Sequence, residues 1–364
     1  MIIVKHVGAR LGLLGNPSDG FGGKTISSLI GDHYATVCLW ESPVLELQPH
    51  PAFDQTRFAS LDDLDAIAAK DGYYGGLRLL MAACRRFAYY CREHGLELPA
   101  RNFTVAYNTN IPRQVGLGGS SAIVAACLKA LMEFYGLTDE HIAKPLQPSL
   151  VLAAEKEELD IQAGLQDRVV QVYGGLMYMD FAPELVNGQG YGYYEQMPLE
   201  LLPPLYLAHA PGGRDSGRLH TPMRVRWERG DREVQEAMRR FAEIADEGKR
   251  ALMEGDHRRL GELMDENFNL RLSLYGKERL GAESLEMIEL ARGLGLRAKF
   301  PGSGGSICGL LMDPEIVPVA QARFAERGYV FKQVQPAEEV ADSHEEFLAS
   351  LQQLRATRRG RRKG

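Results

Sequence analysis

Cysteine is scarce in this chain: Cys38, Cys84, Cys91, Cys127 and Cys308 are the five among 364 residues, with no Cys-x-x-Cys spacing. An odd, scattered set argues against a disulfide framework or a structural zinc site and fits a reducing cytoplasm. Cys127 and Cys308 sit in apolar runs and read as small buried hydrophobes rather than nucleophiles. A surplus of positive charge is also missing: 42 Lys and Arg face 48 Asp and Glu, for a formal charge of −6. No overall field draws in nucleic acid or an anionic membrane, so any anionic ligand must be met by a local site. Long apolar runs are lacking too. The stretch from 121 to 131 is interrupted by Lys129 and falls short of the roughly 20 residues that a membrane span needs. The opening Met1-Ile2-Ile3-Val4-Lys5 has neither the basic start nor the long apolar segment of a secretory signal. No repeat recurs at a period of about 20–50 residues, which argues against solenoids and propellers.

What is present is a globular balance, 45% hydrophobic and 25% charged, with length for two domains at roughly 100–200 residues each. Strand patterns cover residues 10–14, 34–40, 44–48 and 103–108. Helical spacing over 75–94 puts Leu77, Leu80, Met81, Cys84, Phe87 and Ala88 on one side. Helices follow at about 121–135 and 149–159, then strands at 176–181 and 191–197 joined through a glycine-rich segment. Pro203-Pro204 punctuates the chain. Beyond it come a strand at 205–210, helices at about 233–254 and 257–274, strands at 297–300 and 307–312, a helix at 315–326 and a strand at 329–334. This order predicts an α+β chain with a split β-α-β, ferredoxin-like second domain. The domains are set at 1–202 and 203–354. Residues 355–364 carry six basic residues and no apolar anchor, and read as a solvated, disordered tail rather than a nucleic-acid arm.

Glycine, at 39 residues, is plentiful, and three segments are too rich in it to be ordinary loops. The first spans 8–25 and ends in Gly22-Gly23-Lys24-Thr25. A phosphate-binding P-loop would need a glycine at position 18, where Ser18 stands, so that reading is rejected. Asn16-Pro17-Ser18-Asp19 reads instead as a bend presenting polar groups. Asp19 is placed to accept from sugar hydroxyls and Lys24 to meet an anion, against a plain Asx-type turn with a solvated lysine.

The second segment is Pro112-Arg113-Gln114-Val115-Gly116-Leu117-Gly118-Gly119-Ser120-Ser121-Ala122. Glycines let backbone N–H groups approach a phosphate, and serines open a helix whose terminus carries about half a positive charge. Together they form an anion cradle suited to a nucleotide triphosphate, and a serine hydroxyl there can join a magnesium shell. The third, Phe300-Pro301-Gly302-Ser303-Gly304-Gly305-Ser306, has more glycine than a hairpin needs, which implies close approach to a ligand or to the first glycine loop. Two carboxylates stand between the second and third segments. Glu155 follows an apolar run and Asp167 precedes one; beside a nucleotide, an acid can hold Mg²⁺ or take a proton from an attacking hydroxyl.

In their order, these segments resemble the motifs of the GHMP kinases (the galacto-, homoserine, mevalonate and phosphomevalonate kinase family). Residues 112–122 are similar to the family's P-x-x-x-G-L-G-S-S-A, with Gly119 as an extra glycine. Gly302, Ser303, Gly304 and Gly305 resemble its third motif, and residues 10–19 a variant of its first. Within the family, residues 10–19, 111–121 and 300–305 resemble the plant-type glucuronokinase branch. So does Asp215-Ser216-Gly217-Arg218-Leu219-His220, followed by Arg224, Arg226-Trp227 and Gly230-Asp231. The resemblance implies the two-domain GHMP kinase architecture, with an N-terminal ribosomal-protein-S5-domain-2-like domain that binds ATP and a C-terminal ferredoxin-like domain.

The resemblance also implies ATP and Mg²⁺ as cofactors, with the metal on Ser121 (Ser120 as the nearby alternative) and Glu155, and Asp167 orienting or deprotonating the acceptor hydroxyl. It makes the chain a sugar-1-kinase acting on the anomeric hydroxyl of D-glucuronate, as a monomer or homodimer. Galacturonate, arabinose, a heptose phosphate, or a non-catalytic nucleotide-binding role are the alternatives. A uronate pocket needs a cation. Arg10, Asp19, Lys24, Arg214 and Arg218 form the expected substrate set, with Arg224 and Arg226 as further candidates for the carboxylate.

Overall fold

The structure, a computed structural model, describes residues 1–71, 75–211, 220–343 and 345. Arg214, Arg218 and the tail 355–364 lie outside the described residues. Apolar and β-branched residues near the N-terminus form β1 (Ile2–Leu14), which is buried over most of its length because both of its faces are covered. A short 3-10 turn (Ser18–Phe21) leads into β2 (Lys24–Glu41), which pairs antiparallel with β1 from Ile2↔Trp40 to Leu14↔Ile26. Two further strands divide the other edge of the long β2. Its later half pairs with β4 (Phe103–Thr109) and its beginning with β5 (Leu176–Asp180). The two-residue β3 (Glu46–Leu47) joins β4 in parallel, and β6 (Tyr193–Met197) extends the sheet beyond β5.

The helix Gly119–Tyr135 is apolar nearly all round and packs on β1 and β2, with the helices Leu77–Glu93, Gln147–Leu159 and Gln166–Tyr173 around it. The long helices Arg232–Glu254 and His257–Tyr275 also reach β1 and β2. A second, antiparallel sheet follows, with β7 (Leu205–His209) between β8 (Ser306–Leu310) and β9 (Val330–Val334). Tyr206, Phe241, Phe268, Phe300, Phe324 and Phe331 build its core. Among the described residues no helix is long and apolar enough to cross a membrane.

Three differences from the sequence reading bear on the site. The strand expected at 297–300 shrinks to one bridge, Lys299↔Cys308, and the Lys299 ammonium turns toward the first sheet, donating to Gly12 O. Residues 166–173, whose Val169-Val170 run gave no helical signal, form a helix. Past β9, the chain returns to the first sheet: Gly31 N donates to Gln335 O (2.9 Å), Ala337 N to Leu29 O (3.1 Å) and His6 N to Asp342 Oδ1 (2.9 Å).

Candidate active site

A cleft of about 860 Å³ is lined by the second glycine segment, by Arg10 and Asp19, by Glu155 and Asp167, and by Arg224, Arg271, Gly302 and Ser303. The helix Gly119–Tyr135 begins here, directly after Gly118, whose φ of 75° is left-handed. No side chain caps its first turn, so its leading N–H groups and the helix dipole form an anion cradle. A Cβ on Gly118 would stand 2.9 Å from Gln171 Nε2 and 3.3 Å from both Asp167 Oδ2 and Ser121 Oγ, so glycine is what lets this loop pass so close to the carboxylate. Gly116 answers a different need. The second and third glycine segments meet backbone to backbone, and a Cβ on Gly116 would lie 2.9 Å from Gly304 O.

The helix Gln166–Tyr173 brings Asp167 and, one turn later, Gln171 toward Gly118, and Gln171 Nε2 donates to Gly118 O at 2.7 Å. Arg10 grips Asp167 bidentately, Nε to Oδ1 at 2.6 Å and Nη2 to Oδ2 at 2.8 Å. Its Nη1 donates to Gly116 O (2.6 Å) and Pro301 O (3.1 Å), so one side chain from the first glycine segment ties the other two to the carboxylate. Arg168 approaches Asp167 to 3.5 Å from a second direction. Arg168 also holds the buried Glu155, where Nε (2.8 Å) and Nη2 both donate to Oε2. Burial pushes the Glu155 carboxyl up from its ordinary range, against the pull of Arg168. Asp19 accepts from Gln166 N at 3.4 Å, and burial together with the charge of Asp167 raises its carboxyl to about 6.

The other expected residues divide. Pro112, Gly116, Leu117, Gly118, Gly119, Ser120 and Ser121 line the cleft, as do Gly302 and Ser303. Ser120 is exposed there, whereas Ser121 is buried and donates to Gly118 O at 3.0 Å. Ala122 is buried behind the first turn, and Gly304 and Gly305 lie against residues 114–116 instead of lining the cleft. Lys24 is corrected by the structure. It does not line the cleft, because its ammonium is held by Asp246 (2.9 Å) and Asp180 (3.6 Å). Arg226 is likewise engaged, by Asp231 (2.7 Å) and Glu233 (2.6 Å). Arg224 lines the cleft, donating to Gly20 O at 2.6 Å.

Residues 78–175 match the model of the GHMP kinases N terminal domain, and residues 249–330 match that of the GHMP kinases C terminal domain. The chain is 51% identical to "Probable glucuronokinase 2" of Arabidopsis thaliana over 82% of its own length and 81% of that protein's. It is 49% identical to "Glucuronokinase 1" of the same plant, over 82% of each chain. The chain belongs to the GHMP kinase family. Solved structures agree at the level of fold. Lactococcus lactis galactokinase complexed with galactose superposes with a TM-score of 0.68 at 16% identity, covering 94% of this chain and 95% of that one. The Lin0012 protein from Listeria innocua superposes with a TM-score of 0.72 at 15% identity, covering 92% and 98%.

As a GHMP kinase, the chain is an ATP-dependent phosphotransferase acting on an alcohol group. Several groups in or next to this kinase's cleft escaped the sequence reading. Arg168, adjacent to Asp167, looked like an ordinary helix charge, and nothing local announces its bond to Glu155. Lys299 is buried with its ammonium donating to Gly12 O (2.7 Å), Asn16 Oδ1 (2.5 Å) and Phe300 O (2.8 Å), and burial brings its pKa down to about 7. A lysine flanked by Ala298 and Phe300 was its one available signal. Arg271 is buried at the cleft wall, with Nη1 donating to Gly302 O at 2.7 Å and ring faces of Phe300 and Tyr275 each 5.5 Å away. Its sequence context is that of any charged residue on a helix.

Proposed function

We propose that this kinase transfers the γ-phosphoryl group of ATP to the anomeric hydroxyl of D-glucuronate, giving D-glucuronate 1-phosphate. The observation that carries the reading is the juxtaposition at Gly118, where an uncapped helix start stands beside a carboxylate that two arginines hold in place. Likeness to the plant glucuronokinases supports the choice of acceptor. Residues 1–202 would supply the nucleotide cradle and the carboxylates, and residues 203–354 would close the cleft with Gly302 and Ser303.

In the proposed reaction the anomeric oxygen bonds to the γ-phosphorus as the bond to the ADP oxygen breaks, and the hydroxyl proton passes to Asp167. Arg10, bonded to Asp167 through two nitrogens, acts as a positioning residue rather than on the sugar. Asp19, on the same cleft wall, accepts from sugar hydroxyls when ionised. Mg²⁺ fits the donor set, because it takes one or two carboxylates and shares phosphate oxygens. Glu155 and the hydroxyl of Ser121 or Ser120 line the same cleft and would hold the ion. When bound, Mg²⁺ would neutralise charge on the transferred group.

The test is ATP consumption with a panel of free sugars and uronates, with Asp167→Asn alongside. Turnover should prefer D-glucuronate, and the variant should fall by roughly 10²–10⁴-fold, the range for a positioned acid or base. Wild-type-like turnover in Asp167→Asn would defeat the catalytic assignment. Preference for galacturonate, arabinose or a heptose phosphate would move the acceptor and keep the kinase.

A further inference from the structure

Burying a guanidinium without a counter-charge is costly, and buried arginines are ordinarily paired. Arg10 and Arg168 obey that rule through Asp167 and Glu155. Arg271 does not. It is 2% exposed and lines the cleft, yet no carboxylate among the described residues lies within ion-pair distance of it. Nη1 is engaged by Gly302 O, Nη2 reaches Ser303 O only at 3.5 Å, and the buried Nε has no hydrogen-bond partner. Tyr275, one turn further along the same helix, holds its ring against the guanidinium, and its buried hydroxyl is unpartnered as well. Burial accordingly lowers the pKa of Arg271 and raises that of Tyr275.

The position within the cleft narrows what the missing anion is. Arg271 and Tyr275 both feel the charge of Asp19, and Arg271 bonds the third glycine segment. In the function proposed above, the phosphates are assigned to the start of the helix Gly119–Tyr135 and the acceptor to the cleft lining around Asp19. We infer that Arg271, with the Tyr275 hydroxyl beside it, receives the carboxylate of the acceptor and sets the preference for a uronate over the corresponding neutral sugar. This rests on the uronate reading above. Arg224 is the poorer receptor, because its side chain is 43% exposed and has Glu228 at 3.3 Å. A cation in solvent discriminates weakly, whereas a neutral sugar would leave Arg271 buried and unpaired.

The experiment compares kcat/KM for D-glucuronate and its uncharged amide, D-glucuronamide, in the wild type, Arg271→Gln, Arg271→Lys and Tyr275→Phe. The uronate-to-amide ratio should fall by roughly 10- to 150-fold in Arg271→Gln, as expected for loss of a charge-assisted hydrogen bond. Arg271→Lys should recover part of it, since charge returns without the planar fork. Tyr275→Phe keeps the ring and should lower the ratio by about 2- to 12-fold, a readout that survives if Arg271→Gln fails to fold. An unchanged ratio in folded Arg271→Gln overturns the inference. So does a raised KM for ATP with the ratio intact, which would mark a phosphate contact.

A wild type that turns over no uronate would sink the functional reading first. Calorimetric titration of the two ligands then still decides the matter. A wild-type preference for the charged ligand that is lost in Arg271→Gln supports the inference, and equal binding by the wild type overturns it.

Discussion

Asp19 lies where a negative charge is disfavoured, with burial and the neighbouring Asp167 raising its carboxyl from an ordinary value near 3.8 to about 6. Between about pH 4 and 6 the folded chain therefore holds a proton that the unfolded chain has released. The resulting stability is fully present below about pH 4 and is lost as pH rises through 6. In thermal melts, the wild type should lose ground to Asp19→Asn over that interval, and parallel melting curves at all pH values would contradict the assignment. Catalysis should run the opposite way. Ionised Asp19 is the acceptor of sugar hydroxyl bonds, so kcat/KM should rise through pH 6, and Asp19→Asn should lack that limb. At this scale the sequence was readable where chemistry is local. Asp19 stands within the first glycine segment, whereas Glu155 and Asp167 lie 33 and 45 positions beyond Ala122 and were singled out by the family resemblance. Lys24 was misplaced because the carboxylate that claims it, Asp246, lies on a helix 222 positions away.

The three glycine segments form a single construction, and their substitutions should differ according to what each glycine touches. Gly116→Ala would force an L side chain into a φ of 73° and press its Cβ to 2.9 Å from Gly304 O. A loss of about 1–3 kcal/mol and weakened nucleotide binding are expected. Gly119→Ala is the matched control. Its Cβ would meet Ile111 Cγ2 at 3.4 Å, an ordinary contact, and stability should stay within about 0.5 kcal/mol of wild type. Equal melting temperatures for the two variants would refute the account. Element patterns were legible where hydrophobic period and length agreed, as in the helix Gly119–Tyr135. They were not legible in Gln166–Tyr173, where β-branched Val169 and Val170 obscure a short helix that tertiary contacts hold. The excess glycine of the third segment pointed correctly to close approach. Its main neighbour, however, is the second segment, while Pro301 O contacts Gly12 in the first.

At the scale of the whole molecule, the second sheet is not an appendage. Asn267 accepts from Gly15 N at 2.7 Å and donates to Asn16 O, and Ser306 Oγ donates to Val115 O at 2.6 Å. Residues 335–342 then return to β1, β2 and the turn before β5, where Gly175 N donates to Ala337 O at 3.1 Å. A chain ending at Val334 should therefore melt about 1–3 °C below the full chain, the shift that roughly 1–2 kcal/mol gives at this size. An unchanged melting temperature would show that the returning segment contributes nothing. A boundary placed at Pro203-Pro204 by composition could not foresee this return, because pairing over some 300 residues leaves no local trace.

The crossing of Lys299 beneath the cleft has a consequence for ligand traffic. With its ammonium shared among Gly12, Asn16 and Phe300, and Arg10 joining Gly116 to Pro301, the bottom of the cleft is a keystone. Spreading the walls from below would uncover two buried cations at once. Nucleotide and sugar must therefore come and go by a route that leaves these bonds in place, while the floor stays shut.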